Sequence, residues 1–493
     1  MNKFLLSAVI ASTLITSTIV ARSQPLTNVS VSSTDNLDVN ALHEVITPYL
    51  GKEIDVPLLQ DLLNEISYFY QNQGYLAAQA FFPEQESSDG QLQVIVSAAN
   101  LGEVHINNQS KTDDGVMYTL LDGVLKEQGR VIDTNELNVN LLKARDLNVF
   151  DISGHFEQVG ADEIDLTLDI SDKTPYAYDV FYDNYGTKGS GEHRVVGVFN
   201  AINLFSLADK TSFYASTTNE GQNNIGVDFN LPVNTNLDVV GASIAYGDYD
   251  LADEYEDLDA NGKLFELNAY YISPIFYDLN HSYKLGVSPY FKYMQDNIDA
   301  FDIKMKRKSY GLSSTLYHGY NSEKVSMKTS LTANAGVFTS DDDYMLYDNE
   351  KYFFLRLDNH WLYRINDDFS LINQLQVQFT NNHLDPSDKF VLGGAYAVKA
   401  YQSNLASSDL GLFDDLKLMM RVNTYSNVYT NFMQAHGKNI DSKTDSVYAV
   451  GLGGNATYEG FYLDCSVNAA IGTNKQYAED DAKFLIKFGY TNI

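Results

Sequence analysis

A single cysteine, Cys465, stands in the whole chain, so an exported protein of this sequence has no internal disulfide. Its stability must come from packing or from a closed, hydrogen-bonded sheet. Basic residues are also few. The 33 Lys and Arg against 65 Asp and Glu leave a formal net charge of -32, which excludes ordinary nucleic-acid binding. Beyond residue 23 no apolar run reaches the roughly eighteen residues of a membrane-spanning helix. The motifs G-x-S-x-G and H-E-x-x-H and the phosphate-binding glycine loop are all missing, which argues against an enzyme. No cofactor or metal is expected: His436 has no second metal-type ligand at a sensible spacing.

What is present begins with an export signal. Lys3 supplies a positive charge, Phe4 to Val20 is apolar apart from Ser and Thr, and Ala21-Arg22-Ser23 offers small residues for cleavage. Residues 1–23 therefore read as a signal peptide, with an uncleaved anchor as the alternative. Tyr is abundant, at 35 residues, while Trp occurs once and Pro nine times. Aromatic girdles at two membrane interfaces would use such tyrosines.

Two textures follow. Residues 24–98 and 99–173 each read as a βααββ unit, and 174–493 holds almost no helix signal. In the first unit, Thr27 to Ser33 alternates as a strand and Val39 to Tyr49 can form a helix. Asp55 and Pro57 start a second helix, carrying Leu58, Leu59, Leu62, Leu63, Ile66, Phe69 and Tyr70, and Gly74 ends it. Strands are expected at Tyr75–Phe82 and Gln91–Ser97. In the second unit the expected elements are a strand at Leu101–Asn107 and a helix at Val116–Glu127. Another helix follows, capped by Asp133 with Glu136 three later, then strands near Val149–Gln158 and Ile164–Ile170.

The C-terminal part has a period of two. On Leu371–Thr380, the residues Leu371, Asn373, Leu375, Val377 and Phe379 oppose Ile372, Gln374, Gln376, Gln378 and Thr380. Phe461–Ile471 alternates in the same way, with Cys465 on its apolar, lipid-facing side. A soluble sandwich gives the same period. The strands, however, run about ten residues and end in aromatics, as tilted membrane strands do. At about 20 residues per strand and connection, this part makes roughly sixteen strands. The fold class is mainly β: a 16-stranded transmembrane barrel preceded by two α+β domains. Asp248–Lys263 and Asp341–Lys351 suit external loops. Asp257, Asp259 and Asn261 imitate a calcium loop, but Asn268 stands where the bidentate Glu belongs, so a solvated loop is expected.

Three stretches resemble one family. Tyr70-Gln71-Asn72-Gln73-Gly74-Tyr75-Leu76, continuing through Phe82, Pro83 and Gln85, is similar to the first POTRA domain of two-partner-secretion transporters, the haemolysin secretion and activation proteins. Tyr182-Asp183-Asn184-Tyr185-Gly186, with Gly189 and Gly191, resembles the D-N-x-G element that opens their barrel. Phe390-Val391-Leu392-Gly393-Gly394, running to Val398-Lys399-Ala400-Tyr401, is similar to F-x-L-G-G…V-R-G-Y on their inward-folded loop, expected here around 385–412.

The resemblance implies an outer-membrane translocator with periplasmic POTRA domains. It would recognise an unfolded, secreted partner protein through Tyr70, Gly74, Tyr75, Leu76, Phe82, Pro83 and Gln85, by strand addition near Leu76–Phe82. The chain would pass a lumen lined by Arg356, Gln374, Gln376 and Gln378, and the acidic lumen would repel acidic cargo. Outer-membrane lipid, lipopolysaccharide and the barrel assembly machinery are the other implied partners. Gating falls to Gly393, Gly394, Val398, Lys399 and Tyr401. The family's loop Arg pairs with the Asp of an inner-wall F-x-D-x-G element. The stretch taken as its counterpart is Phe432-Met433-Gln434-Ala435-His436, in which Asp has become Gln, so the Arg–Asp latch is expected to be missing. Lys399 is left to pair with Gln434, with Asp464 by its lumenal parity, or with neither, as an ordinary polar loop residue. With only Gln24, Pro25 and Leu26 between signal and first strand, no plug helix is expected in the barrel. The alternatives are an assembly factor that inserts other barrels, or a passive channel.

Overall fold

The computed structural model describes residues 24–492 except 36, 76, 86–88, 161, 341–349, 404–405, 441, 476–477 and 479–480. The signal residues 1–23, Leu76 and most of the acidic segment at 341–351 thus lie outside the described residues. Two compact units divide after Lys173.

The N-terminal unit contains the two βααββ domains. The first has β1 (Asn28–Ser33), α1 (His43–Ile46), α2 (Val56–Asn72), β2 (Gln79–Phe81) and β3 (Gln91–Ser97), with sheet order β1-β3-β2. Asp55 caps α2 by accepting from Leu58 N at 2.8 Å, and Pro57 sits in its first turn, where a missing N–H costs nothing. Leu58, Leu59, Leu62, Ile66 and Tyr70 line its buried face. Each fully buried Leu or Ile contributes about 2 kcal/mol. Tyr70 Oη donates to Asp38 O at 3.0 Å, and burial, reinforced by the Asp38 charge, pushes its phenol up to about 12. Leu26 is fully buried in this core.

Two expected elements differ. The helix over 39–49 is three single turns, Asn40–Leu42, His43–Ile46 and Thr47–Tyr49, because Pro48 cannot donate within a continuous helix. The strand over 75–82 shrinks to Gln79–Phe81, since Tyr75 N and Ala78 N close turns onto Tyr70 O and Tyr75 O.

The second domain repeats the order with β4 (Asn100–Asn108), α3 (Asp114–Leu120), α4 (Asp122–Leu125), α5 (Thr134–Arg145), β5 (Phe150–Gln158) and β6 (Glu163–Asp172), in sheet order β4-β6-β5. The helix expected over 116–127 breaks at Leu121. Asp133 caps α5 through Asn135 N and Glu136 N. Gly74 joins the two domains. Its carbonyl accepts from Thr134 N and Oγ1, both at 2.9 Å, and its φ of +110° is a conformation that favours glycine.

The C-terminal unit is a closed barrel of sixteen antiparallel strands. In chain order they are β7 (Tyr176–Asp183), β8 (Arg194–Ile202), β9 (Lys210–Thr218), β10 (Asn223–Pro232), β11 (Val239–Asp250), β12 (Ala260–Tyr277), β13 (His281–Ile298), β14 (Ile303–Asn321), β15 (Val325–Ser340), β16 (Glu350–Arg364) and β17 (Phe369–Thr380). After two short loop strands, β18 (Phe390–Val391) and β19 (Ser407–Ser408), come β20 (Leu410–Arg421), β21 (Ser426–Lys438), β22 (Thr444–Tyr458), β23 (Phe461–Ile471) and β24 (Lys483–Thr491). Strand β24 pairs with β7, and closure satisfies backbone groups that lipid cannot. Strands β12 to β14 reach 18 or 19 residues, longer than the expected ten. Asn261 and Gly262 belong to β12, so the calcium-like stretch ends in strand.

Tight turns lie at the end where β7 begins. Glu459 and Gly460, both at positive φ, make one of them, as a two-residue hairpin requires. On β23, Phe461, Leu463 and Val467 are exposed outward, while Ser466 and Asn468 are buried inside. Cys465 shares the outward parity.

Candidate functional site

Between β17 and β20 the chain does not stay outside. Residues 381–403 and 406–409 fold into the lumen, where β18 and β19 pair. Leu392, Val398 and Tyr401 are fully buried against Phe413, Met433, Ala435, Val447 and Ala449 of β20 to β22. The loop's own glycines make its turn: Gly394 N donates to Val398 O at 3.3 Å, and Ala397 N donates to Gly394 O at 3.0 Å. Gly394 has φ +112°, and a Cβ there would overlap Ser403 Oγ. The L-G-G motif is thus a close approach of two backbone arms.

Charged groups bind the base of the loop to the wall. Lys292 Nζ lies 2.8 Å from Asp388, and Arg307 pairs with Asp385 at 2.6 Å and also with Asp296. Gln378 donates to Asp388 O at 3.0 Å and Asp409 O at 3.1 Å, while its own oxygen accepts from Arg356. Fully buried Asp409 accepts from Leu384 N and Ile440 N. Such multiply bonded carboxylates tolerate burial.

The loop tip touches two walls. On one side Lys399 Nζ lies 4.0 Å from Asp415 Oδ2 of β20, and Asn431 donates to Asp415 at 2.8 Å. Burial and the neighbouring Lys417 ammonium push this loop lysine below the usual lysine range, against the pull of Asp415 and Asp464. On the other side Arg194 of β8 donates to Tyr396 Oη at 3.0 Å. Asp183 holds that guanidinium with two bonds, at 2.8 and 2.9 Å, and Tyr185 meets the Tyr396 ring edge-on at 6.0 Å. The D-N-x-G stretch therefore anchors the loop. Asn184 also clips the barrel seam, donating to Phe484 O at 2.9 Å and accepting from Ile486 N at 2.8 Å.

Several expectations need correcting. Phe432 and Gln434 are not inner-wall residues. Phe432 is exposed on the outer face, and Gln434 shares its parity, donating to Asp414 at 3.4 Å. Asn373 donates to the same outward carboxylate at 2.6 Å. His436 also takes the outer parity, bonded to Ser446. The inner-wall F-x-D is Phe413-Asp414-Asp415, one strand earlier, and Lys417 stands where the family pattern has Gly. The Arg–Asp pair is absent as expected, and a Lys399–Asp415 pair at 4.0 Å stands in its place. Asp464 is lumenal as expected, but accepts from Tyr429 at 3.1 Å. Tyr70 and Phe82 are buried in the first domain's core and so cannot present a surface to cargo. Gln85 folds back on β3, exchanging two 2.7 Å bonds with the Gln93 backbone. Asp415, Arg194 and Tyr396 were missed. For Asp415 the available signal was its F-x-D spacing from Phe413.

Comparisons with known proteins agree with this architecture. The family model described as haemolysin secretion/activation protein ShlB/FhaC/HecB matches residues 162–431, and the model of the ShlB-type POTRA domain matches 24–98. The heme/hemopexin transporter protein HuxB of Haemophilus influenzae is 26% identical over 407 residues, covering 78% of this chain and 70% of that protein. Among solved structures, CdiB from Escherichia coli superposes with a TM-score of 0.75 at 15% identity, over 99% of this chain and 93% of that one. BamA from Haemophilus ducreyi lacking POTRA domains 1-3 gives 0.56 at 14% identity, over 95% and 100%. At these identities the two structures speak for the fold alone.

Proposed function

The chain belongs to the haemolysin secretion/activation protein family, and from that premise we propose that its first POTRA domain takes up an unfolded partner protein as an added strand. Transporters of this family export partner proteins through an outer-membrane barrel, with the POTRA domains in the periplasm. What supports the uptake reading is a strand edge. β1 lies at the edge of its sheet with six residues and, among the described residues, no outer neighbour. Asn28 N and Thr34 N donate towards β3. Even-numbered residues therefore face β3, and Val29, Val31 and Ser33 turn their N–H and C=O groups outward. Main-chain pairing there gives affinity without strict sequence demands.

The edge at 76–82 suits this less well. Only Ala80 of β2 faces outward, and its N–H already donates to Ser67 Oγ at 2.9 Å. β1 replaces it as the docking strand. The reading is of a non-catalytic pore. Outer-membrane lipid and lipopolysaccharide surround its aromatic outer face, and the barrel assembly machinery inserts it. Export is favoured over insertion of other barrels by the two POTRA units and by the L-G-G…V-K-A-Y form of the folded-in loop.

Deletion of the gene, followed by assay of the medium and of outer-membrane composition, tests this. Loss of one exported protein is expected. Broad loss of barrels would favour an insertase, and no change would leave a channel. A photocrosslinker at Ser30 or Ser32 should capture the cargo, whereas one at Gln79 or Phe81 should not.

A further inference from the structure

Beneath the loop tip, on the side of the tight turns, lies a cavity of about 450 Å³. Its charge is unlike that of the chain. Lys399, Lys417 and Lys487 enter it against two carboxylates, Asp415 and Asp464, in a protein with a net charge of -32. Both carboxylates are already engaged, Asp415 by Asn431 and Lys399, and Asp464 by Tyr429. Lys417 and Lys487 have no carboxylate partner within ion-pair distance among the described residues. Each instead lies over an aromatic ring, Lys417 at 4.3 Å from Tyr429 and Lys487 at 3.7 Å from Phe181. A ring holds an ammonium in place but accepts none of its directional bonds. The N–H groups left over remain free for an acceptor.

We propose that this vestibule is a binding site for a carboxylate-bearing, extended peptide segment, held between Lys417 and Lys487 as it enters the lumen from the periplasm. This rests on the export reading above, because a peptide is the ligand only if a polypeptide takes this route. The guest carboxylate receives charge-assisted bonds from the ammoniums that line the cavity, each held over its ring. Tyr429 and Tyr462 supply walls on which an adjacent aromatic or aliphatic side chain rests. Lys417 stands where the family's F-x-D-x-G pattern has glycine, so the site is a property of this chain's own sequence. The acidic lumen expected to repel acidic cargo would then begin beyond a cationic entrance. An acidic segment that reaches the entrance offers Lys399 a competing carboxylate and thereby loosens the loop from Asp415.

The test uses the full chain in nanodiscs, with both faces accessible. Three probes are compared: a dansyl-labelled acetyl-Tyr-Asp-Tyr amide, its Asn isostere and free succinate as competitor. Saturable binding of the Asp peptide is expected. Replacing its Asp with Asn, or introducing Lys417→Gln with Lys487→Gln, should weaken it about tenfold or more, the worth of a charge-assisted bond. Raised salt should weaken it too. If the double variant loses the heat-modifiable migration of a folded barrel, the two single variants and Lys417→Arg take its place, with the Arg variant retaining binding. Equal affinity for the Asn peptide, insensitivity to the lysine variants, no binding at all, or displacement by succinate as effective as by the unlabelled peptide would each overturn the proposal. The export reading fails separately, if the wild-type chain binds the peptide yet its deletion leaves the medium unchanged.

Discussion

Removing the Asp415 carboxylate should loosen the loop, while removing the Lys417 ammonium should tighten it. Two unit charges 4.0 Å apart, as Lys399 and Asp415 are, attract by about 4 kcal/mol at an effective dielectric of about 20. Burial of the lysine and the like charge of Lys417 oppose this and outweigh it, since they hold the ammonium below its usual range. Lys399→Met, which keeps the side-chain stem, should therefore not raise the open probability. Asp415 tolerates the loss, since Asn431 still donates to it. Asp415→Asn does the reverse: it strands a buried ammonium, at about 3 kcal/mol, so opening should rise by roughly a hundredfold. Lys417→Gln removes the repulsion and should lower the open probability below that of the native chain. Single-channel recording of reconstituted protein reads all three. Opening by Asp415→Asn that does not exceed the native level, or opening by Lys399→Met or Lys417→Gln that exceeds it, would refute the electrostatic account of the loop.

Tyr396→Phe deletes the bond from Arg194 at the opposite wall and should raise opening several-fold, about 1 kcal/mol, in the same recordings. Gly394→Ala forces a Cβ onto Ser403 at φ +112°, so the loop should become cleavable by added protease while the barrel stays folded. Tyr70→Phe loses the bond to Asp38 O and should lower the melting temperature of the N-terminal unit by a few degrees, leaving export intact. Lost export at unchanged stability would return Tyr70 to the cargo surface.

The POTRA elements were legible because their signals are local. Asp55 and Asp133 cap the helices their positions announce, and Leu58 to Tyr70 bury the face their spacing marks. The break at Pro48 was equally local and was overlooked. In the barrel, alternation fixed which residues share a face but not which face is inside. On β21 the usual cue is reversed: the lumenal residues Met433 and Ala435 are apolar because the loop packs on them, and outward Gln434 is polar because Asp414 meets it. The F-x-D-x-G counterpart matched at Phe432–His436 therefore falls one strand beyond the inner-wall Phe413-Asp414-Asp415. The Arg194–Tyr396 bond joins residues 202 apart, and no local pattern carries it.

The central claim is that the segment 381–409 closes the lumen and must move for export. A Cβ built at Gly411 lies 2.8 Å from that of Phe390, so a cysteine pair cross-links loop to wall once the two positions part by about 1 Å, to the roughly 3.8 Å a disulfide spans. In a Cys465→Ser background, Phe390→Cys with Gly411→Cys should cross-link on oxidation in the folded outer-membrane protein. Export should then stop, and resume on reduction. Failure to cross-link, or undiminished export from fully cross-linked protein, would contradict the account.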